Sequence, residues 1–260
     1  MNKLAFIGGG NMARAIIGGL IGSGRAAAGI IVVDPGDAQR AGLQADFGVT
    51  TLAVPGVELA DAGFVVWAVK PQFFQAAAAP CAAHVGQAVQ LSVMAGIGSE
   101  RVVRAMPNTP ALIGQGIAGL YARPAVTSTE RSEVEALMAP TGRCLWVTDE
   151  IELDAVTAVS GSGPAYVFYV IEAMIDAATA MGLSAEQGRE LTLATLSGAT
   201  ALAAASSDPP AVLRERVTSK GGTTYAALSV LEEAAVKQTF MKAMVAAQTR
   251  AAELGTEFGA

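Results

Sequence analysis

One turn near the amino terminus narrows the possible folds sharply. Phe6-Ile7-Gly8-Gly9-Gly10-Asn11-Met12-Ala13 follows a short apolar run, Lys3–Ile7, and opens a helical pattern, Asn11–Ile21. It fits G-x-G-x-x-A. In that pattern the first glycine permits a tight turn, and the second lets backbone approach a pyrophosphate. The small last residue lets helix pack closely on strand. Phosphates then rest on free N–H groups at the positive end of the helix. The motif gains weight from its strand–turn–helix setting; the competing reading is a glycine turn needed only for packing.

The rest of the amino-terminal half repeats that setting. Ile30–Asp34, Phe64–Val69 and Val89–Val93 are short, β-branched and without alternation, as buried parallel strands are. Asp37–Asp46 and Gln72–Ala83 carry helical patterns between them. This alternation predicts a doubly wound, mostly parallel sheet. Ile117–Tyr121 and Cys144–Val147 extend it, separated by a helix that opens on a capping box, Thr127 with Glu130. After about residue 150 the strand pattern stops. Glu152–Val159, Ala165–Met181, Ala185–Ala205, Pro209–Val217 and Thr224–Leu254 all read as helices. The expected fold is an α/β Rossmann-like domain over residues 1–150, followed by an all-α domain over 151–260. One stretch resists this scheme. Leu91–Ala95 and Arg101–Met106 both look like strands about five residues apart, whereas a parallel crossover takes a dozen or more. Either they are not parallel neighbours, or the usual crossover helix is missing.

Composition removes several function classes. The chain is 52% hydrophobic and 15% charged, too apolar for disorder. A net charge of −6 with no basic run argues against nucleic acid or an anionic membrane as partner. No run of about 18 strongly apolar residues predicts a membrane span. Cys81 and Cys144 stand in no metal or redox spacing, which suits a reducing, cytoplasmic setting. His84 is the only histidine, and no metal-ligand or Ser/His/Asp spacing is evident, so hydrolases and metalloenzymes recede. The 53 alanines and 29 glycines are the odd feature, since so little large apolar side chain suits a lone globule poorly. Glu190–Ala205 has no charge after Glu190, and a helix apolar on most faces is normally buried. That points to an obligate homodimer.

Further motifs mark candidate site residues. Asp34 ends the second strand, where a carboxylate accepts from ribose hydroxyls and repels a 2′-phosphate, a lean toward NADH that Arg40 could reverse. The other reading of Asp34-Pro35-Gly36 is a plain turn. Ala68-Val69-Lys70-Pro71 follows a central strand on the crevice side. Lys70 there is either a proton donor or, more simply, a solvated lysine before a helix. Met106-Pro107-Asn108-Thr109-Pro110 is a stiff loop whose Asn108 amide either holds a ribose or substrate group or just braces a turn. Ser160–Tyr166 either passes the active site or only breaks one helix and caps the next. Ser219-Lys220-Gly221-Gly222-Thr223-Thr224 exposes backbone N–H groups at a helix start, a cradle for a carboxylate, with Thr224 adding a hydroxyl that both donates and accepts. An ordinary glycine loop with a threonine cap is the alternative.

Taken in order, Phe6–Ala13, Ala68–Gln72, Arg104–Ile117, Asp154–Tyr166 and Val217–Thr224 resemble the pyrroline-5-carboxylate reductases over nearly the whole chain. The resemblance implies a Rossmann domain and a helical dimerisation domain, with dimers often assembling into decamers. It implies reduction of 1-pyrroline-5-carboxylate, a small cyclic imine, to L-proline by NADPH or NADH, the final step of proline biosynthesis. By similarity Gly8, Gly9, Gly10, Asn11, Met12, Asp34, Ala68, Val69, Lys70, Pro71, Met94, Ala95 and Gly96 hold the cofactor, and Asn108, read from its stiff loop, is counted with them. Ser219, Gly221, Gly222, Thr223 and Thr224 take the substrate, with Thr224 the catalytic candidate beside the ring nitrogen, and no metal takes part. Lys220 stands where the family usually has proline, Pro55 where it has asparagine, and Gly96–Glu100 replaces a longer helical connection. Ser206-Ser207-Asp208 lacks a glutamate often found there. Two other classes remain open. A hydroxyacid-dehydrogenase-type reductase needs a helix-borne catalytic lysine, and neither Lys220 nor Lys237 sits in such a motif. The other is a non-enzymatic dinucleotide-binding regulator whose site senses NAD(P)H without turnover, for which the shortened crossover leaves room.

Overall fold

A computed structural model describes residues 3–86, 88–92 and 101–258. Among these, eight strands form one sheet: β1 (Lys3–Ile7), β2 (Ile30–Val33), β3 (Thr50–Leu52), β4 (Ala62–Trp67), β5 (Val89–Ser92), β6 (Val102–Met106), β7 (Gly116–Ala122) and β8 (Gly142–Trp146). Their order is β3-β2-β1-β4-β5-β6-β7-β8. The first six in the chain run parallel, β7 reverses against β6, and β8 follows β7. Between strands lie α1 (Asn11–Gly22), α2 (Asp37–Phe47), α3 (Phe74–Cys81) and α4 (Ser128–Met138). The doubly wound sheet is therefore as the strand pattern requires.

The absence of alternation in the strands has a direct cause: alternate residues feed two cores. Leu4, Phe6, Val32, Val66 and Leu91 join one with Ile16 and Ile17 of α1. Ala5, Ile7, Val33, Val65 and Trp67 join the other, against which the α3 residues Phe74 and Ala77 pack. Each such large side chain contributes about 1.5–3 kcal/mol by burial.

β5 and β6 are parallel neighbours, with Gln90 opposite Val102 and Ser92 opposite Arg104. Nine residues, 93–101, connect them. The chain must return only ~10 Å along a four-residue strand and ~5 Å across, well within the ~30 Å that nine residues span. The anomaly in spacing is thus compatible with a regular sheet.

Three features depart from the sequence reading. The three-residue β3 is too short to carry a pattern. Glu152–Val159 divides into α5 (Glu152–Val156) and a π-helical turn, Thr157–Gly161. The single helix read over Thr224–Leu254 is two, α9 (Thr223–Glu233) and α10 (Val236–Phe258), parted at Ala235, a non-glycine residue with φ of 51°.

By proximity of its Cα atoms the chain divides into two units, one running to Ser162 and resuming at Ala247, the other Gly163–Ala246. The second unit is helical: α6 (Gly163–Ala180), α7 (Ala185–Ala205), α8 (Pro210–Arg216), α9 and most of α10. Helices α6 and α7 form a hairpin through Gly182, with Ser184 and Gln187 closing a capping box. A Cβ on Gly188 would stand 3.0 Å from Cβ of Ala178, so small residues set that close approach. Within Gly163–Ala246 only Ala178, Gly188 and Thr192 are buried. By length and composition alone, the helical stretch Glu152–Ala180 is apolar enough to cross a membrane, with a mean hydropathy of 1.2 over its most apolar 18 residues.

Candidate active site

The fingerprint turn is built as its chemistry demands. Gly8 sits at φ 95°, and a Cβ there would lie 2.7 Å from the Ala68 carbonyl oxygen. Only glycine passes. Its N–H donates to the Val33 carbonyl at 2.8 Å, while the N–H of Ala68 donates to Ile7, also at 2.8 Å, so three strand ends meet at this point. Ala13, in the first turn of α1, is fully buried. Gly10 differs: apart from its own chain neighbours, nothing among the described residues lies within 4 Å of where its Cβ would be. The room its missing side chain leaves is open to a ligand. Helix α1 begins there without a side-chain cap and with no acidic residue in its first turn. The first intrahelical acceptance is Arg14 N–H to Gly10 O, so the N–H groups of Asn11, Met12 and Ala13 remain for an anion.

A crevice of about 490 Å³ lies along this edge, and Gly8, Gly10, Asp34, Ala68, Val69 and Lys70 line it. Asp34 turns both carboxylate oxygens to backbone, accepting from Gly9 and Gly36 N–H at 2.8 Å each. Arg40 holds the same corner, donating to the Asp34 carbonyl at 2.7 Å and pairing with Asp37. Lys70 is exposed. The backbone of Pro71 opens the turn into α3. Met94, Ala95 and Gly96 lie outside the described residues.

Other lining residues went unnoticed in the sequence: Val54, Phe73, Ala77 and Cys81. Phe73, just before α3, and Ala77 and Cys81 within it recur every four residues, the spacing of one helix face, which was the available signal. Burial pushes the Cys81 thiol up to about 11, so it stays neutral and unreactive.

Asn108 stands two residues past the end of β6, farther along the same sheet edge. Its Oδ1 accepts from Ile117 N–H at 3.0 Å, and its Nδ2 donates to Ser160 Oγ at 3.2 Å. Ser160 belongs to the π turn, in which Ser162 N–H donates to Thr157 O at 2.8 Å. Arg104 of β6 pairs with Glu150 at 2.7 Å. Burial pushes the Asp154 carboxyl up, and the charge of Arg104 opposes that only in part.

In the helical unit, Gly222 precedes α9 and Gly221 has φ of 75°. The N–H of Gly222 donates to Ser219 O at 3.0 Å, folding Ser219–Gly222 into a turn beneath the helix start. Ala226 N–H is the first to find an acceptor inside α9, at Gly222 O. No acid stands in the first turn, so this terminus is open to a carboxylate. Thr223 is exposed and Thr224 half-buried.

Residues 150–254 match the family model described as pyrroline-5-carboxylate reductase dimerisation, and residues 3–96 match that of the coenzyme F420-dependent NADP oxidoreductases. The pyrroline-5-carboxylate reductase of Pseudomonas aeruginosa is 43% identical over 99% of this chain and 98% of its own length. This chain belongs to the pyrroline-5-carboxylate reductase family. The relative from Haemophilus influenzae is 41% identical over 98% of both chains. Among solved structures, the reductase of Coxiella burnetii superposes with a TM-score of 0.88 at 34% identity, covering 97% of this chain and 98% of that one. The Plasmodium falciparum enzyme, solved with NADP bound, also gives 0.88, at 28% identity over 98% of each. As a reductase of this family the chain is an NAD(P)H-dependent oxidoreductase, with a carboxyl-terminal segment of the self-associating type.

Proposed function

We propose that this reductase converts 1-pyrroline-5-carboxylate to L-proline, the last step of proline biosynthesis, using a dinucleotide held at Gly8, Gly9, Gly10, Asn11, Met12, Asp34, Ala68, Val69, Lys70 and Pro71. The fit rests on the open space at Gly10 beside the uncapped start of α1. A dihydronicotinamide cofactor held by these residues would supply the hydride that the imine carbon accepts while the ring nitrogen carries a proton. The protein's task is positioning. The backbone of Ser219, Gly221 and Gly222 receives the substrate carboxylate, Thr223 closes that cradle, and the Thr224 hydroxyl bonds the ring nitrogen. A weakly basic imine arrives protonated, so no strong protein acid is required. Asp34 favours the unphosphorylated ribose of NADH, and Arg40 is the group that would accommodate a 2′-phosphate instead.

An obligate homodimer, assembling further into a decamer, completes this reading; the exposed helices of the second unit support it. The two unpaired cysteines fit a cytoplasmic location. The deciding experiment follows oxidation of NADH and of NADPH with 1-pyrroline-5-carboxylate. Turnover with a higher kcat/KM for NADH is expected, and no oxidation of either would overturn the assignment. Thr224→Ala should lower kcat/KM at least tenfold; an unchanged value would remove Thr224 from the ring nitrogen.

A further inference from the structure

The Asn108–Ser160 hydrogen bond has a fixed polarity. Ile117 N–H can only donate, so the Asn108 atom facing it at 3.0 Å is the amide oxygen. The other end of the amide is then NH₂, which can only donate, and Ser160 Oγ at 3.2 Å must accept. The hydroxyl hydrogen of Ser160 is left pointing elsewhere, and no hydrogen bond from it to the described residues is formed. Ser160 is only half-buried and sits on a π turn, a distortion that recurs at functional sites. The turn is held closely from below, since a Cβ on Gly161 would come 3.4 Å from Met106 Sδ.

Its place in the fold supplies the second strand of the argument. Asp34 follows β2, the fingerprint glycines follow β1 and Ala68 follows β4 on one edge of the sheet, in the strand order β2-β1-β4-β5-β6. β6, whose end carries Asn108, lies three strand spacings, about 14 Å, from β1 on the side away from Asp34. A dinucleotide with its adenosine end at Asp34 brings its reactive end toward this side.

We propose that Ser160 is a hydrogen-bond donor of the active site, aimed at an oxygen acceptor of the bound reactants, and that Asn108 is its positioning residue. The acceptor is a carbonyl or carboxylate oxygen, which the carboxamide of the cofactor and the carboxylate of the imine both offer. This rests on the reductase reading above, so wild-type turnover is measured alongside. Its absence would reject that reading, whereas wild-type turnover with unaffected variants rejects only the role of Ser160.

Ser160→Ala is expected to raise either the KM for the imine or the Kd for the dinucleotide about tenfold, with thermal stability unchanged. A change in KM places the acceptor on the substrate, and a change in Kd places it on the cofactor. Ser160→Thr, which keeps the hydroxyl, should restore most of the loss. Asn108→Asp keeps the acceptor for Ile117 N–H but presents a carboxylate to Ser160, drawing its hydrogen inward. It should therefore reproduce the Ser160→Ala defect and add nothing on a Ser160→Ala background. Both constants within twofold of wild type in Ser160→Ala, or a further loss in the double variant, would overturn the proposal.

Discussion

Gly8 and Gly10 are neighbours in one motif with opposite physical duties, and substitution separates them. At Gly8 an alanine meets a positive φ and the Ala68 carbonyl at 2.7 Å, so the folded state itself is strained. The left-handed conformation alone costs about 1–2 kcal/mol, and the backbone clash adds to it. Gly8→Ala should lower the melting temperature by several degrees. At Gly10 the added methyl meets nothing among the described residues beyond its chain neighbours. Gly10→Ala should melt within about 0.5 kcal/mol of wild type yet bind dinucleotide at least tenfold more weakly in a titration. Wild-type affinity in Gly10→Ala would remove the phosphate from that position. The fingerprint was legible in the sequence because its chemistry is local, a turn and the helix it starts. The link from Asn108 to Ser160 spans 52 residues and depends on which atom of an amide faces which partner, which no local pattern encodes. Lys70 and Asp34 lie between these cases: their side of the sheet could be read, but the hydrogen bonds that occupy Asp34 could not.

Elements were legible where their ends carry their own chemistry. Helix α4 begins where its capping box requires, with Glu130 accepting from Thr127 N–H at 2.8 Å and Oγ1 at 2.9 Å while pairing with Arg101. Burial resists the charge on Glu130, but the bonds from Arg101 and Thr127 outweigh it and hold the carboxyl below its ordinary range. A carboxyl lowered in the folded state stabilises the fold above its unfolded pKa, about 4.3. That contribution fades as pH falls below this value through the folded one. Urea unfolding of wild type and Glu130→Gln should therefore diverge most near neutrality and converge in acid. A constant gap at every pH would exclude this carboxylate from the acid limb. The break between α9 and α10 had no such mark. Ala234-Ala235 favours helix by propensity, and the left-handed Ala235 is imposed by the fold rather than by its own preference.

At the scale of the whole molecule, the composition acquires a physical explanation. Helix α7 turns Gly188 and Thr192, one turn apart, toward burial, while Leu191 and Leu202, three turns apart on a common face, are 56% and 62% exposed. Val167, Phe168, Tyr169, Val230 and Met241 are likewise exposed within the same unit. Burying each large apolar side chain is worth about 1.5–3 kcal/mol, so this unit forgoes in a single chain most of what ordinarily offsets conformational entropy. Its apolar faces fall inside the segment that matches the dimerisation model, which supports the proposal that a second copy covers them. Small residues suit that role, because Ala178 and Gly188 already show how closely these helices approach when side chains are short. Stability and activity should then depend on protein concentration. Specific activity should fall on dilution below the dimer dissociation constant. Leu191→Asp, which places a charge on the exposed face of α7 and leaves the α6–α7 contact at Gly188 intact, should elute as a monomer by light scattering without activity. A fully active monomer, or an unperturbed dimer carrying that aspartate, would show that this face is not where the copies meet.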